Sequence, residues 1–404
     1  MTSIPITWIV TVGITISLVA LYTLGAVYAE RKISAFIQDR LGPMETGPFG
    51  IFQTLADVIK LVLKELITPA AANKALFILA PPLIFVSVFA AFGALPLFAS
   101  PVDAAMNVGL LYILGVLSID IMGLLMAGWG ANNKYALLGA ARSVAQIISY
   151  EVPATLALLS AVMMYGTLNM QELALDQGVY TEQTTYFLGI WDVTEIGGML
   201  SWSVFRYPHL LIAFFVYLIA GLAECNRAPF DLPEAESELV SGYHVEYSGF
   251  RFALVMLAEY GKMLIVGIIA AVVFLGGWNT ILPNMAGLPL AEWTSGAPGT
   301  LAGILWGACW ILGKALLIVV FFIWVRWTYP RVRVDQLMTL SWKILTPIGL
   351  GLFFISAIWK LAEVYGAIGY QLTFQVLLKS IQPKEVPQYW EELYSILPRI
   401  SQPR

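Results

Sequence analysis

The sequence predicts an all-α polytopic membrane protein of about eight transmembrane helices, with an interfacial amphipathic helix after the first. Three observations carry this. Of 404 residues, 59% are hydrophobic and 12% charged, whereas about a quarter of a soluble chain is charged. The apolar residues gather in eight stretches near the ~20 residues needed to cross a hydrocarbon core. Lys and Arg gather in alternate loops, the asymmetry that orients helices in a bilayer. The 13 Trp, 18 Tyr and 34 Gly fit the same class, since aromatics favour the membrane interface and glycine lets helices approach closely.

The predicted spans run approximately 6–29, 75–98, 105–126, 143–168, 209–223, 252–275, 301–324 and 344–364. The fifth is the shortest and has room to extend at either end. The first is not expected to be a cleaved signal, because nothing basic precedes it and Glu30, Arg31 and Lys32 follow it. Fourteen Lys and Arg fall in the odd-numbered loops, and only Arg206 in the even ones. The odd loops are therefore expected to be cytoplasmic, with both termini on the opposite side.

Between the first two spans, residues 47–67 place Phe52, Leu55, Ile59, Val62 and Leu66 at helical spacing, with Asp57, Lys60, Lys64 and Glu65 elsewhere around the turn. Such a segment is too charged to span and suits an interfacial helix. Residues 1–369 are expected to form one membrane domain and 370–404 a C-terminal extension marked by Pro383, Pro387, Pro398 and Pro403.

Composition excludes several classes. A net charge of −4 without a basic stripe argues against nucleic acid. Cys225 and Cys309 are too few for a cysteine-ligated iron–sulfur cluster, and His209 and His244 too few for two bis-histidine haems. No Walker A motif, dinucleotide fingerprint or nucleophile elbow occurs. No metal, flavin or cluster is expected on this chain.

The remaining charges are informative. Asp120, Glu151, Glu224, Glu259, Lys262, Lys314, Lys360 and Glu363 lie within or at the edge of apolar spans, where each costs about 2.5–3.5 kcal/mol at mid-membrane. Lys360 and Glu363 suit snorkelling at a helix end. Glu259 and Lys262, spaced i, i+3, suit either an internal ion pair or a functional role. Glu151 precedes Pro153, where interrupted backbone hydrogen bonding admits water or a polar partner, and suits proton handling. The loop at about 224–250 concentrates Glu224, Asp231, Glu234, Glu236, Glu238 and Glu246 around a single arginine, Arg227, with apolar residues interleaved. Crowded acids in a partly dry site cannot all ionise and so share protons. On these grounds the chain is an ion-handling membrane subunit.

Four segments are more specific: 29–65, 128–153, 223–260 and 326–347. They closely resemble the H subunit of proton-pumping NADH:quinone oxidoreductase, respiratory complex I, and the resemblance runs over nearly the whole chain. It implies a subunit of the bacterial inner membrane at the junction of the membrane and peripheral arms, forming the membrane-facing part of a quinone chamber. The implied substrate is quinone. Implied partners are the iron–sulfur and quinone-site subunits of the peripheral arm, small membrane subunits and antiporter-like subunits. Matched by motif, Glu151, Glu224, Glu234, Glu236, Glu246 and Glu259 correspond to the family's proton path. Glu30, Arg31, Gln38, Arg40, Asp57, Phe230, Arg326 and Arg331 correspond to the chamber and its supporting loops.

Where some relatives carry a glutamate on the third span facing Glu151, this chain has Ser118, with Asp120 two residues later. Asp120 either substitutes with shifted geometry or packs. Residues 170–206 and the tail suit lineage-specific subunit contacts. Two other readings compete: the membrane anchor of a ferredoxin-linked oxidoreductase or energy-converting hydrogenase, and a stand-alone ion transporter. Co-purifying donor-binding subunits would reveal the first. Proton transport by the chain alone would reveal the second, against which stands the absence of paired repeats.

Overall fold

The computed structural model describes residues 4–97, 106–181, 185–188, 191–232, 236–284, 288–295 and 300–380. Two compact units divide the chain, 1–356 and 357–404. Within the described residues seven helices are long and apolar enough to cross a membrane, and an eighth apolar helix, Pro208–Glu224, is shorter.

Helix α1 (Ile4–Ile37) runs eight residues beyond the expected end of the first span, so Glu30 and Arg31 sit on a helix and not in a loop. The amphipathic segment is helical over less than the expected 47–67. After a tight turn at Pro48–Gly50, α2 covers Gln53–Leu63 and the chain becomes extended at Lys64. Leu55, Ile59 and Val62 on α2 are exposed, while Thr54 is buried.

Helix α3 (Lys74–Phe92) starts where the Asn73 side chain accepts from Leu76 N, an N-cap that satisfies one of the helix's unpaired donors. The next span is two helices, α4 (Gly109–Leu117) and α5 (Ile119–Gly130), which meet at Ser118. The expected start of that span, residues 105 and before, lies outside the described residues. Helix α6 (Lys134–Tyr165) begins nine residues earlier than expected, capped by Asn133, and ends on Gly166 in the left-handed conformation. Glycine takes that conformation without a Cβ penalty.

On the opposite side, α7 (Met170–Leu175), a small antiparallel hairpin of β1 (Tyr186–Phe187) and β2 (Trp191–Asp192), and α8 (Ser203–Arg206) lead into α9 (Pro208–Glu224). At 17 residues, α9 is at the lower limit for a span. Proline at its first position costs nothing because that N–H has no intrahelical partner.

Helix α10 (Glu236–Leu239) and a turn at Gly242–His244 form the acidic loop, which folds against the protein: Phe230, Asp231, Leu232, Tyr243 and His244 are buried. Gly139 of α6 faces this turn so closely that a Cβ there would stand 2.8 Å from Gly242 Cα.

Helix α11 (Gly249–Phe274) is the centre of the first unit, packing on α1, α2, α3, α9 and α13. Of its apolar window 89% is buried, against 56% in α6. Its last carbonyls, which lack intrahelical donors, are met from outside. Gln177 Nε2 donates to Val272 O at 2.9 Å and Ser203 Oγ to Val273 O at 2.8 Å. Lys314, buried on α13, donates to the carbonyls of Leu275, Gly277 and Asn279 at 2.6, 2.9 and 2.6 Å. Residue Lys314 is thus a capping cation for α11.

A short helix α12 (Leu290–Ser295) precedes α13 (Leu301–Thr328). Then α14 (Val334–Thr339) and a π-helical stretch (Leu340–Leu345) lead into α15 (Thr346–Ser380). Ser341 Oγ donates to Ser149 O at 2.5 Å and Tyr150 OH to Leu337 O at 3.0 Å, tying this segment to α6 beside Glu151. In the second unit the described residues are helical to Ser380, and Lys360 pairs with Glu363 at 3.5 Å.

Candidate proton path and substrate cavity

A cavity of about 590 Å³ opens among α1, α2, α11 and α13. Most of its wall is aliphatic or aromatic, and its ionisable lining groups are Glu30, Arg31, Arg40, Asp57, Tyr260 and Arg326. Arg31 on α1 and Asp57 on α2 pair across the two helices at 2.5 Å, both partly exposed. Gln53 donates to the other oxygen of Asp57 at 3.4 Å.

Glu30 is 6% exposed and is held by three groups from three segments. Tyr260 OH of α11 donates to its Oε2 at 2.5 Å. On Oε1, Arg326 of α13 forms an ion pair and Arg227 Nη1 stands 3.5 Å away. Arg227 then reaches onward, with Nε 3.2 Å from Glu259 Oε1 and its guanidinium 4.5 Å from the centre of the Tyr260 ring. One planar cation thereby bridges an acid of the cavity wall, Glu30, and a buried acid outside that wall, Glu259, a task for which a guanidinium fork is suited.

Beyond Glu259 lie two small voids. One, about 10 Å³, is lined by Glu259, Asp120, Glu224 and Lys262. The other, about 30 Å³, is lined by Glu224, Lys262, Ser118 and Glu151. A void needs roughly 10–15 Å³ to hold one water, so the larger admits water and the smaller is at the threshold. Lys262 pairs with Asp120, and Ser118 Oγ donates to Glu151. The i, i+3 pair between Glu259 and Lys262 does not form. Each turns to a partner on another segment, Arg227 and Asp120 respectively. Ser118 faces Glu151, and Asp120 faces Lys262 and not Glu151.

The expected residues thus fall into groups. Glu30, Arg31, Arg40, Asp57 and Arg326 surround the cavity, and Glu259, Glu224 and Glu151 form the row behind it. Gln38 is exposed and outside the cavity wall. Phe230 packs on Tyr150 with ring centres 5.5 Å apart, and Arg331 pairs with Asp231 at 3.3 Å, so both brace loops. Glu246 accepts from Asn133 at 2.8 Å, and Glu238 pairs with Arg142 at 2.6 Å. Those contacts tie the acidic loop to α6 and lie off the row. Burial pushes the His244 imidazole down to about 4, so the loop gains no cation there at neutral pH. Glu234 lies outside the described residues, as does the side chain of Glu236.

Sequence reasoning missed Arg227 as the bridge, Tyr260 as a donor and the pairing of Lys262 with Asp120 beside the row. Intramembrane charge flagged the last two, but their pairing depends on which faces of α5 and α11 meet.

A family model described as NADH dehydrogenase matches residues 9–357. The chain is 51% identical over 352 residues to a protein of Cytophaga hutchinsonii named as the second H subunit of NADH-quinone oxidoreductase, covering 85% of this chain and 96% of that one. Its similarity to the NADH-quinone oxidoreductase H subunit of Chlorobaculum parvum is 49% over 356 residues, 88% and 93% of the two chains. For the H subunit of Bacteroides fragilis the figures are 41% over 343 residues, 84% and 87%. The chain belongs to the H-subunit family of NADH-quinone oxidoreductase. The residues matched by the family model end at 357, beside the boundary between the two compact units.

Proposed function

We propose that this protein is the membrane subunit of a multisubunit NADH:quinone oxidoreductase that forms part of the quinone chamber and passes the energy of quinone reduction into proton translocation. The observation that carries the reading is the continuity from cavity to carboxylates: Glu30, Arg227, Glu259, the two small voids, Glu224 and Glu151. Family membership supports the assignment.

Reducing a quinone takes two electrons and two protons. The electrons come from a cluster in a partner subunit, since two cysteines are too few to ligate one here. The large cavity has the composition a quinone requires, apolar walls for a tail and the basic groups Arg31, Arg40 and Arg326 for the charge that develops on the headgroup. Negative charge arriving beside Arg31 and Arg326 competes with Asp57 and Glu30 for those cations. Arg227 transmits the change to Glu259, because a guanidinium drawn toward one acid is drawn away from the other. Protons then redistribute among Glu259, Glu224 and Glu151. Exposed Leu55, Ile59 and Val62 on α2 suit an interfacial helix, so that a lipid-borne tail enters between α1 and α2. In this reading the odd-numbered loops and α2 are cytoplasmic and the termini lie on the other side.

In the assembled complex, Glu224→Gln is expected to lower quinone reductase activity and proton pumping together by about 10²-fold, the lower end for loss of a proton-transferring group. Normal coupled activity in that variant would remove the acidic-path assignment.

A further inference from the structure

The path just proposed contains a cation whose role it does not explain. Lys262 lies on α11 with its ammonium in an ion pair to Asp120 of α5, an aspartate only 1% exposed. The other oxygen of Asp120, Oδ1, accepts no hydrogen bond from any described residue. Lys262 also lines both small voids, together with Glu224 and Cys225. Those three residues form the wall between the Glu259 side and the Glu151 side. Arg227 is committed to Glu30 and Glu259. That leaves Lys262 to serve Asp120, Glu224 and Glu151, one cation among three acids. In a low-dielectric interior three neighbouring carboxylates cannot all ionise against one positive charge.

We propose, on the acidic-path reading, that Lys262 is a positioning residue: a tethered cation that Asp120 holds clear of Glu224 until Glu224 gives up its proton, and that then moves onto the new carboxylate. The chemistry is a proton transfer alone. Glu224 releases its proton toward Glu151 across the larger void, the ammonium leaves Asp120 for the Glu224 carboxylate, and a proton from the Glu259 side restores Glu224 and returns the ammonium to Asp120. No other bond forms or breaks. A lysine suits this role because its ammonium is a point charge on a flexible four-carbon stem, whereas a guanidinium fork is fixed by its plane. Asp120 is the resting partner, which accounts for a buried aspartate beside the row of glutamates that is not itself a member of it.

The test uses the assembled complex and follows the infrared band of the protonated Glu224 carboxyl, assigned as the band that Glu224→Gln removes. In Asp120→Asn the ammonium has lost its resting partner and stays on Glu224. The band is expected to vanish, and pumping and quinone reduction to fall about tenfold, less than for loss of a proton-transferring group itself. Asp120→Glu is expected to keep both band and rate. The double variant Asp120→Asn with Lys262→Met is expected to recover the band but not the rate, because no cation remains to receive the Glu224 carboxylate. Lys262→Met alone removes the cation and is expected to keep the band throughout turnover, which provides a readout even where Asp120→Asn fails to assemble. Persistence of the band in Asp120→Asn, a double variant that still lacks the band, or a band that bleaches during turnover of Lys262→Met would overturn the assignment to Lys262. If Glu224→Gln itself pumps normally, the acidic path falls as well. If it does not, a failure in the other variants is a failure of the lysine assignment alone.

Discussion

Arg227 is 7% exposed and holds two buried acids at once, Glu30 at 3.5 Å and Glu259 at 3.2 Å. Removing one member of such a cluster strands the others, at a cost of about 3–5 kcal/mol. Arg227→Met is therefore expected to lower the midpoint at which the purified complex loses native tryptophan fluorescence. Arg227→Lys is expected to restore little, because an ammonium cannot bridge two acids with a planar fork. If Arg227→Met melts like the wild type, the guanidinium is not holding the two acids. At this scale the sequence showed which residues carry charge, and it placed Arg227 as the lone base in an acidic loop. It did not show which acids that base serves, since Glu30 and Glu259 lie on helices separated by more than two hundred residues.

At the scale of elements, the acidic loop is held to α6 by a close approach of two glycines and by polar ties. A Cβ on Gly139 would stand 2.8 Å from Gly242 Cα, while Asn133 with Glu246 and Arg142 with Glu238 fix the loop on either side. Gly139→Ala must push the turn outward, and overpacking of this kind costs about 1–3 kcal/mol. Faster limited proteolysis within residues 236–248 is the expected outcome. An unchanged cleavage rate would mean that the turn yields without loosening the loop. The helices themselves were legible from apolar run length, and Asn73, Asn133 and Gly166 account for the start of α3 and both ends of α6. The differences lie at the edges. α1 continues through charged residues to Ile37 because Glu30 and Arg31 find partners there, and α2 stops at Leu63 where the chain turns extended. A run-length argument does not foresee charges that are satisfied by distant segments.

At the scale of the first unit, the large cavity exists because α1, α2, α11 and α13 do not close against one another. Ala253 of α11 lies in its wall. Ala253→Trp is expected to fill part of the cavity and raise the KM for long-chain quinone about tenfold, equivalent to about 1.4 kcal/mol, with assembly intact on native gels. An unchanged KM would place quinone elsewhere. What the sequence determined by itself was the membrane, the apolar spans, the charge asymmetry of the loops and the family, because each rests on composition or on short contiguous patterns. What only the tertiary structure decided was which charges meet. Glu30, Arg227 and Glu259 form one chain, and Lys262 turns from its i, i+3 neighbour to Asp120. The physical reason is that an isolated charge in an apolar interior is costly enough to demand a partner, but the identity of the partner depends on which helix faces are pressed together, and no local spacing encodes that.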